Sequence, residues 1–193
     1  LLISILISYI IVVKTSINYL FLTILLVFSF FLIFVSAKDL FEKKNKLSQK
    51  ISHFAFSLFL LSILLNSIFA KEISTNMKIG DEIIFMDKSI KFESLETFKK
   101  SNYNSLKAKF QIFEKNNKTL ILYPEIRIYD QPSILTSEAD IKINLLSDNF
   151  IVFNLLKDDG YFNVRYQYKP LMLWIWISVL LMVLGGILSL RKA

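Results

Sequence analysis

The sequence predicts a membrane protein of about four transmembrane α-helices, the first truncated, with a small all-β extracytoplasmic domain, a barrel or a sandwich, inserted before the last helix. Three observations predict this. Runs free of Lys, Arg, Asp and Glu occur at 19–37, 51–70 and 171–190. Hydrocarbon roughly 30 Å thick takes about 20 apolar residues at about 1.5 Å rise each, so each run is of spanning length. Between the last two runs lie residues 71–169, ordinary soluble sequence with the period-two alternation of half-buried strands.

Residues 1–70 are read as helices. Leu1–Val13 is apolar but reaches only about 20 Å as a helix. The chain starts with leucine, and the expectation is a fragment whose first span is cut short. A signal peptide would need a basic n-region and a small-residue cleavage site; neither is present. Spans follow at 19–37 and 51–70, separated by the basic loop KDLFEKKNKLSQK, 38–50.

Charge sets the expected orientation. The formal net charge is +7. Residues 71–169 hold 15 Lys/Arg against 14 Asp/Glu, so the excess lies beside the spans: five basic against two acidic residues in 38–50, and Arg191 with Lys192 at the end. Positive-inside reasoning puts both basic segments on one, cytoplasm-like side. The domain 71–169 is then extracytoplasmic, and 170–193 is the closing helix with its basic tail. A near-neutral soluble part gives no nucleic-acid footprint, and no nucleic-acid partner is expected. Membrane lipid is.

Within 71–169, Ala108, Phe110 and Ile112 alternate with Lys109 and Gln111, the signature of a half-buried strand. Asn116-Asn117 suits a tight turn. Extended segments follow at 120–122 and 126–129, interrupted by Pro124, and an apolar run at 150–156. Asp158-Asp159-Gly160 is a hairpin turn signal. Phe162, Val164, Tyr166 and Tyr168 then alternate with polar residues. The pattern gives about five to seven short strands and no long helix.

Chemistry-bearing residues are few. With no Cys and one His, disulfides, thiolate metal sites and thioether-linked haem are excluded. Ser-His-Asp or Cys-His catalysis within the soluble domain is excluded as well, unless another chain supplies the base. No Gly-rich phosphate loop exists. Trp174 and Trp176 follow Lys169-Pro170 at the outer end of the last span; they read as interfacial anchors or as an aromatic wall for a planar ligand. Gly185 and Ser189, four residues apart, share a helix face and permit close helix packing.

His53 is the one histidine, and it lies inside the run 51–70. An ionisable side chain in a span is a functional hypothesis by default; an interfacial position near the cytoplasmic end is the plainer alternative. Ser57 shares its face, while Ser62 and Asn66 lie on roughly the opposite one at about 100° per residue. Polar groups on two sides point to a helix surrounded by protein. Imidazole there suits iron ligation or proton relay, and one histidine supplies only one side of a haem.

LYPEIRIYDQPSILTSEADI (122–141) and YQYKPLMLWIWISVLLMVLGGILSL (166–190), in this order after a His-bearing span, resemble the C-terminal portion of CcmF-type cytochrome c haem lyases. The resemblance covers nearly all of 45–193; residues 1–44 match only as generic spans. It implies a role in cytochrome c-type biogenesis, with haem as substrate for covalent attachment to apocytochrome c. It implies that His53 is one axial ligand of a b-type haem, the second lying outside this chain segment. Ser52 and Ala55 stand where the family often has Ala and Gly. The family's Trp-rich haem segment, its extracytoplasmic histidines and its second b-haem histidine are not in these 193 residues, so the chain is not expected to be active alone.

Implied partners are the missing N-terminal portion, a haem chaperone and a subunit that handles apocytochrome c thiols. The implied location is the bacterial inner membrane with the β domain in the periplasm, or the mitochondrial inner membrane for an organelle-encoded chain. The competing function is a non-catalytic membrane scaffold that docks assembly partners. A ResB-like assembly protein has a similar layout, but would place a key histidine in 171–190, which contains none.

Overall fold

The computed structural model describes residues 1–15, 20–42, 46–114, 119–156 and 160–190. The expected turns at Asn116-Asn117 and Asp158-Asp159 lie outside these residues, as do Asn45 and the tail Arg191–Ala193. The chain forms two compact units.

The helical unit comprises Leu1–Ala70, Asn144–Ser147 and Pro170–Ala193. Its helices are α1 (Leu2–Thr15), α2 (Leu20–Phe41), α3 (Leu47–Phe69) and α4 (Met172–Leu190). Three of them, α2, α3 and α4, are long and apolar enough to cross a bilayer; α1 is a shorter apolar helix. Helix α2 continues to Phe41 and α3 begins at Leu47, so much of the basic stretch 38–50 is helical. The side chain of Lys50 donates to the carbonyls of Leu40 and Glu42. It thereby satisfies acceptors that a helix C-terminus leaves open.

Helix α3 packs against α2 on one side and α4 on the other. Gly185 of α4 is buried against α3, where an added Cβ would lie 2.2 Å from Ser52 Oγ and 3.1 Å from the Ser52 backbone nitrogen. Small residues let helix backbones approach in this way. Ser189, expected to share that contact, is exposed; it stands one turn beyond Gly185, while α3 begins only at Leu47. At the other end, the Asn66 side-chain amide donates to the Pro170 carbonyl.

The β unit is a sandwich. One sheet runs β1 (Lys71–Met77), β10 (Phe162–Pro170), β9 (Ser147–Leu155), β8 (Asp140–Lys142). The other runs β2 (Glu82–Phe85), β3 (Lys88–Lys99), β4 (Tyr103–Glu114), β6 (Glu125–Tyr129), β7 (Leu135–Glu138), and β5 (Thr119–Leu122) also pairs with β4. The expected alternation holds: Ala108, Phe110 and Ile112 are fully buried, as are Val164 and Tyr166. Phe92 and Phe110 of one sheet meet Phe153 and Phe162 of the other, with ring centroids 5.6–6.4 Å apart across the sheets. First and last strands are neighbours, Lys71 opposite Tyr168, so the domain's two chain ends leave it side by side.

Candidate functional site

His53 is the seventh residue of α3, about 9 Å along it. Its side chain is exposed on the helical unit and opens into a cleft between α2 and α3 of about 250 Å³. Leu32, Val35 and Phe56 provide apolar wall; Ser36, Asp39 and Ser57 are the polar groups that share it with His53. Ser57, one turn after His53, is buried and hydrogen-bonded to Ser36 of α2, Oγ to Oγ 2.5 Å. That pair fixes the floor of the cleft and ties the two helices at this level. Ser62 is buried as well, and Asn66 holds Pro170, so the polar residues on the other side of α3 face its own neighbours.

The structure thus brings His53 and Ser57 together, as the helical spacing required. It adds Ser36 and Asp39, which sequence reasoning missed. In the sequence, Asp39 groups with the charged residues of 38–50. The helical continuation of α2, one turn from Ser36 to Asp39 on a shared face, is the signal that would have found it.

The two motifs resolve into contacts that hold the fold. In 122–141, Arg127 pairs with Glu125 on β6. Partial burial pushes the Glu125 carboxyl up, but hydrogen bonds from Arg127 and Ser105 hold it below the usual carboxylate range. Asp140 accepts the backbone N–H of Tyr123 at 2.6 Å. In 166–190, Tyr166 is fully buried and donates to Asn149 Oδ1 at 2.5 Å. Lys88 joins this cluster, 2.9 Å from both Asn149 Oδ1 and Glu114 Oε1. Burial raises the Tyr166 phenol above its ordinary range; the Lys88 ammonium, though partly desolvated, is raised by its bond to Glu114. The group pins β3 and β4 to β9 and β10. Trp174 donates its indole N–H to the Leu145 carbonyl at 2.8 Å, whereas Trp176 is 61% exposed.

The comparisons with known proteins follow the fold. A family model described as the CcmF C-terminal β-sandwich matches residues 68–170. Among curated proteins, the chain is 28% identical over 147 residues to a probable cytochrome c-type biogenesis protein NrfE of Escherichia coli (strain K12), covering 76% of this chain and 27% of that protein. It is 33% identical over 113 residues to the cytochrome c-type biogenesis protein ccl1 of Rhodobacter capsulatus, covering 58% of this chain and 17% of the relative. A solved structure of a cytochrome c heme lyase CcmF superposes with a TM-score of 0.66 at 15% identity, over 97% of this chain and 34% of that one. The chain therefore spans about a quarter or less of the curated relatives' length, and a third of the solved chain.

Proposed function

The chain belongs to the family of the CcmF C-terminal β-sandwich, and from that premise we propose that it serves cytochrome c-type biogenesis as one part of a membrane haem lyase. In this reading the substrate of the whole assembly is haem, destined for apocytochrome c. Its partners are other maturation proteins, including a haem chaperone and a thiol-handling subunit. The relatives' names support the biogenesis role, and the likeness to the solved CcmF supports the fold. The spans support an inner-membrane, multi-pass location. With the basic ends of α2 and α3 in the cytoplasm, the sandwich lies in the periplasm.

The observation that carries the site is the setting of His53. An imidazole opens into an apolar-walled cleft between two spanning helices, on a face that no other described helix covers. Those features fit a b-type haem, which His53 would help to hold. Leu32, Val35 and Phe56 would shield it from water, and His53 would donate a ring nitrogen to the iron. Bound there, haem supplies one-electron redox chemistry. Asp39 lines the same cleft and is the acidic side chain there that could orient the ligand. A second ligand would have to come from outside this chain segment.

The test is a reduced-minus-oxidised spectrum of membranes holding the complete assembly. His53→Ala should remove most of the b-type band and impair cytochrome c maturation, with the chain still inserted at normal level. Added imidazole should restore part of the band. A full, unchanged band in His53→Ala would return His53 to an interfacial role. The scaffold reading gains from the motif residues, whose visible contacts all hold the fold. It predicts maturation that is lost when the sandwich is unfolded and is indifferent to His53.

A further inference from the structure

Ile141 of β8 and Ile143, Leu145 and Leu146 of the connection from β8 to β9 are exposed by 49, 60, 62 and 67% respectively. Surface loops favour Gly, Pro, Asn, Asp and Ser, so adjacent exposed leucines call for a partner. Two hydrogen bonds fix where Leu145 and Leu146 sit. The backbone N–H of Leu171 donates to the Leu146 carbonyl at 2.9 Å. The indole N–H of Trp174 donates to the Leu145 carbonyl at 2.8 Å. Leu171 immediately precedes α4 and Trp174 lies in its first turn, and Asn144–Ser147 groups with that helix in the helical unit.

Helix α4 has 19 residues, about 28 Å at 1.5 Å each. This only just matches a hydrocarbon layer of roughly 30 Å. The whole helix is needed to cross, so its first turn must reach the edge of the hydrocarbon. Trp174 marks the same level, since indole favours the headgroup zone. Leu145 and Leu146, clipped to that turn, are therefore held at the bilayer boundary. Their carbonyls are already paired, which removes part of the penalty on irregular backbone near lipid.

We propose that Leu145-Leu146 is a lipid-inserting tip: it buries its side chains at the acyl–headgroup boundary of the leaflet that faces the start of α4. The partner is the bilayer itself. Free apolar side chains at this depth gain by leaving water, and the tip then fixes the depth of α4 together with Trp174. The proposal rests on the reading that α4 spans the membrane.

The chain has no cysteine, so one introduced cysteine carries a spin label uniquely. The full chain, reconstituted in phosphatidylcholine–phosphatidylglycerol vesicles, is labelled at Leu146→Cys and separately at Leu180→Cys, a position 64% exposed in the middle of α4. Collision with oxygen, which partitions into lipid, is compared with collision with a water-soluble nickel chelate. The proposal expects oxygen to dominate at both sites, with the Leu146 label shallower. Nickel dominance at Leu146 with oxygen dominance at Leu180 overturns the tip and leaves the span intact. Protection of Leu146 from both reagents shows protein cover and also overturns it. Nickel dominance at Leu180 removes the span, and the tip with it. Should Leu146→Cys alter the far-ultraviolet circular dichroism, Leu145→Cys gives the same readout.

Discussion

The two units bury opposite kinds of side chain. In the sandwich the fully buried residues are Phe92, Phe110, Phe153, Tyr166, Ile90, Ile112 and their like. In the helical unit they are mostly Ser4, Ser8, Ser29, Ser36, Ala55, Ser57, Ser62, Ser178 and Gly185, with Leu26 the one large exception among the described residues. Leucines, isoleucines and phenylalanines line the outside of that unit, Phe28 at 57% and Leu180 at 64% exposure. One chain thus sorts the same residue types in reverse, because the two units meet different solvents. Water drives large apolar groups inward. Lipid tails are as apolar as leucine, so helices there associate by close approach of small residues and by hydrogen bonds. Several of the buried serines bear this out, although the Ser4 and Ser8 hydroxyls are buried with no partner among the described residues. Ser29, Ser57 and Ser178 bond to carbonyls of their own helices at 2.7–2.9 Å, so their burial leaves no orphan donor.

The comparison breaks most visibly at a large side chain. Phe110→Ala should cost the sandwich about 3–5 kcal/mol, the transfer loss plus a cavity among four rings. Leu180→Ala on the outside of α4 should change stability by no more than about 0.5 kcal/mol in lipid. Hydrogen exchange of β3 and β4 amides reads the first, and unfolding in bilayers the second. Comparable costs for the two would mean that the outer face of α4 is packed against protein.

How much of this contrast is legible in the sequence follows from the same physics. The spans are legible because an apolar run needs no partner to be recognised. The sandwich is legible where one face is buried without interruption, as in β4 and β10. Strand β3 is hidden: its apolar phase passes from Ile90 and Phe92 to Leu95, because an extra residue between Phe92 and Ser94 shifts the register against β4. A bulge reverses which face each later side chain takes. Strands β1, β2, β7 and β8 are short or exposed pieces at sheet edges, whose few inward residues do not make an apolar alternation in the sequence. The ten strands among the described residues therefore exceed the five to seven expected. His53 stands out as the lone imidazole of a span. Its cleft does not, since Ser36 and Asp39 reach it only through the pairing of α2 with α3, which no local pattern encodes.

A smaller effect tests close approach. Gly185→Leu should cost about 1–3 kcal/mol by overpacking, because Ser52 Oγ can turn away but the Ser52 nitrogen and the Ser48 carbonyl, 3.1 and 3.2 Å from the added Cβ, are backbone. Gly186 is the internal control. An added Cβ there meets nothing within 4 Å, so Gly186→Leu should be neutral or gain a little helix propensity, up to about 0.8 kcal/mol. Unfolding of both variants in bilayers measures the difference. Equal effects would show that the packing of α3 on α4 does not depend on the small residue.

The smallest expected effect is that of the bond between Ser36 and Ser57, and it bears most directly on how helices associate in lipid. The 2.5 Å contact is buried and joins α2 to α3 beside the His53 cleft. An isolated polar group in hydrocarbon would make such a bond costly to lose. Here neither partner is isolated. Ser36 also bonds to the Ile33 carbonyl at 3.2 Å, and Ser57 to that of Phe54 at 2.9 Å. After Ser57→Ala, the Ser36 hydroxyl turns fully to its own helix, and no donor is orphaned. The expected cost is about 0.6 kcal/mol, the usual worth of a hydrogen bond between membrane helices. A double-mutant cycle with Ser36→Ala, read by unfolding in bilayers, isolates the pair. A coupling well above about 1.7 kcal/mol, the upper end for such bonds, would mean that α2 and α3 are held by this bond rather than by packing. The serines would then be the core of the helical unit in the same sense that Phe92 and Phe110 are the core of the sandwich.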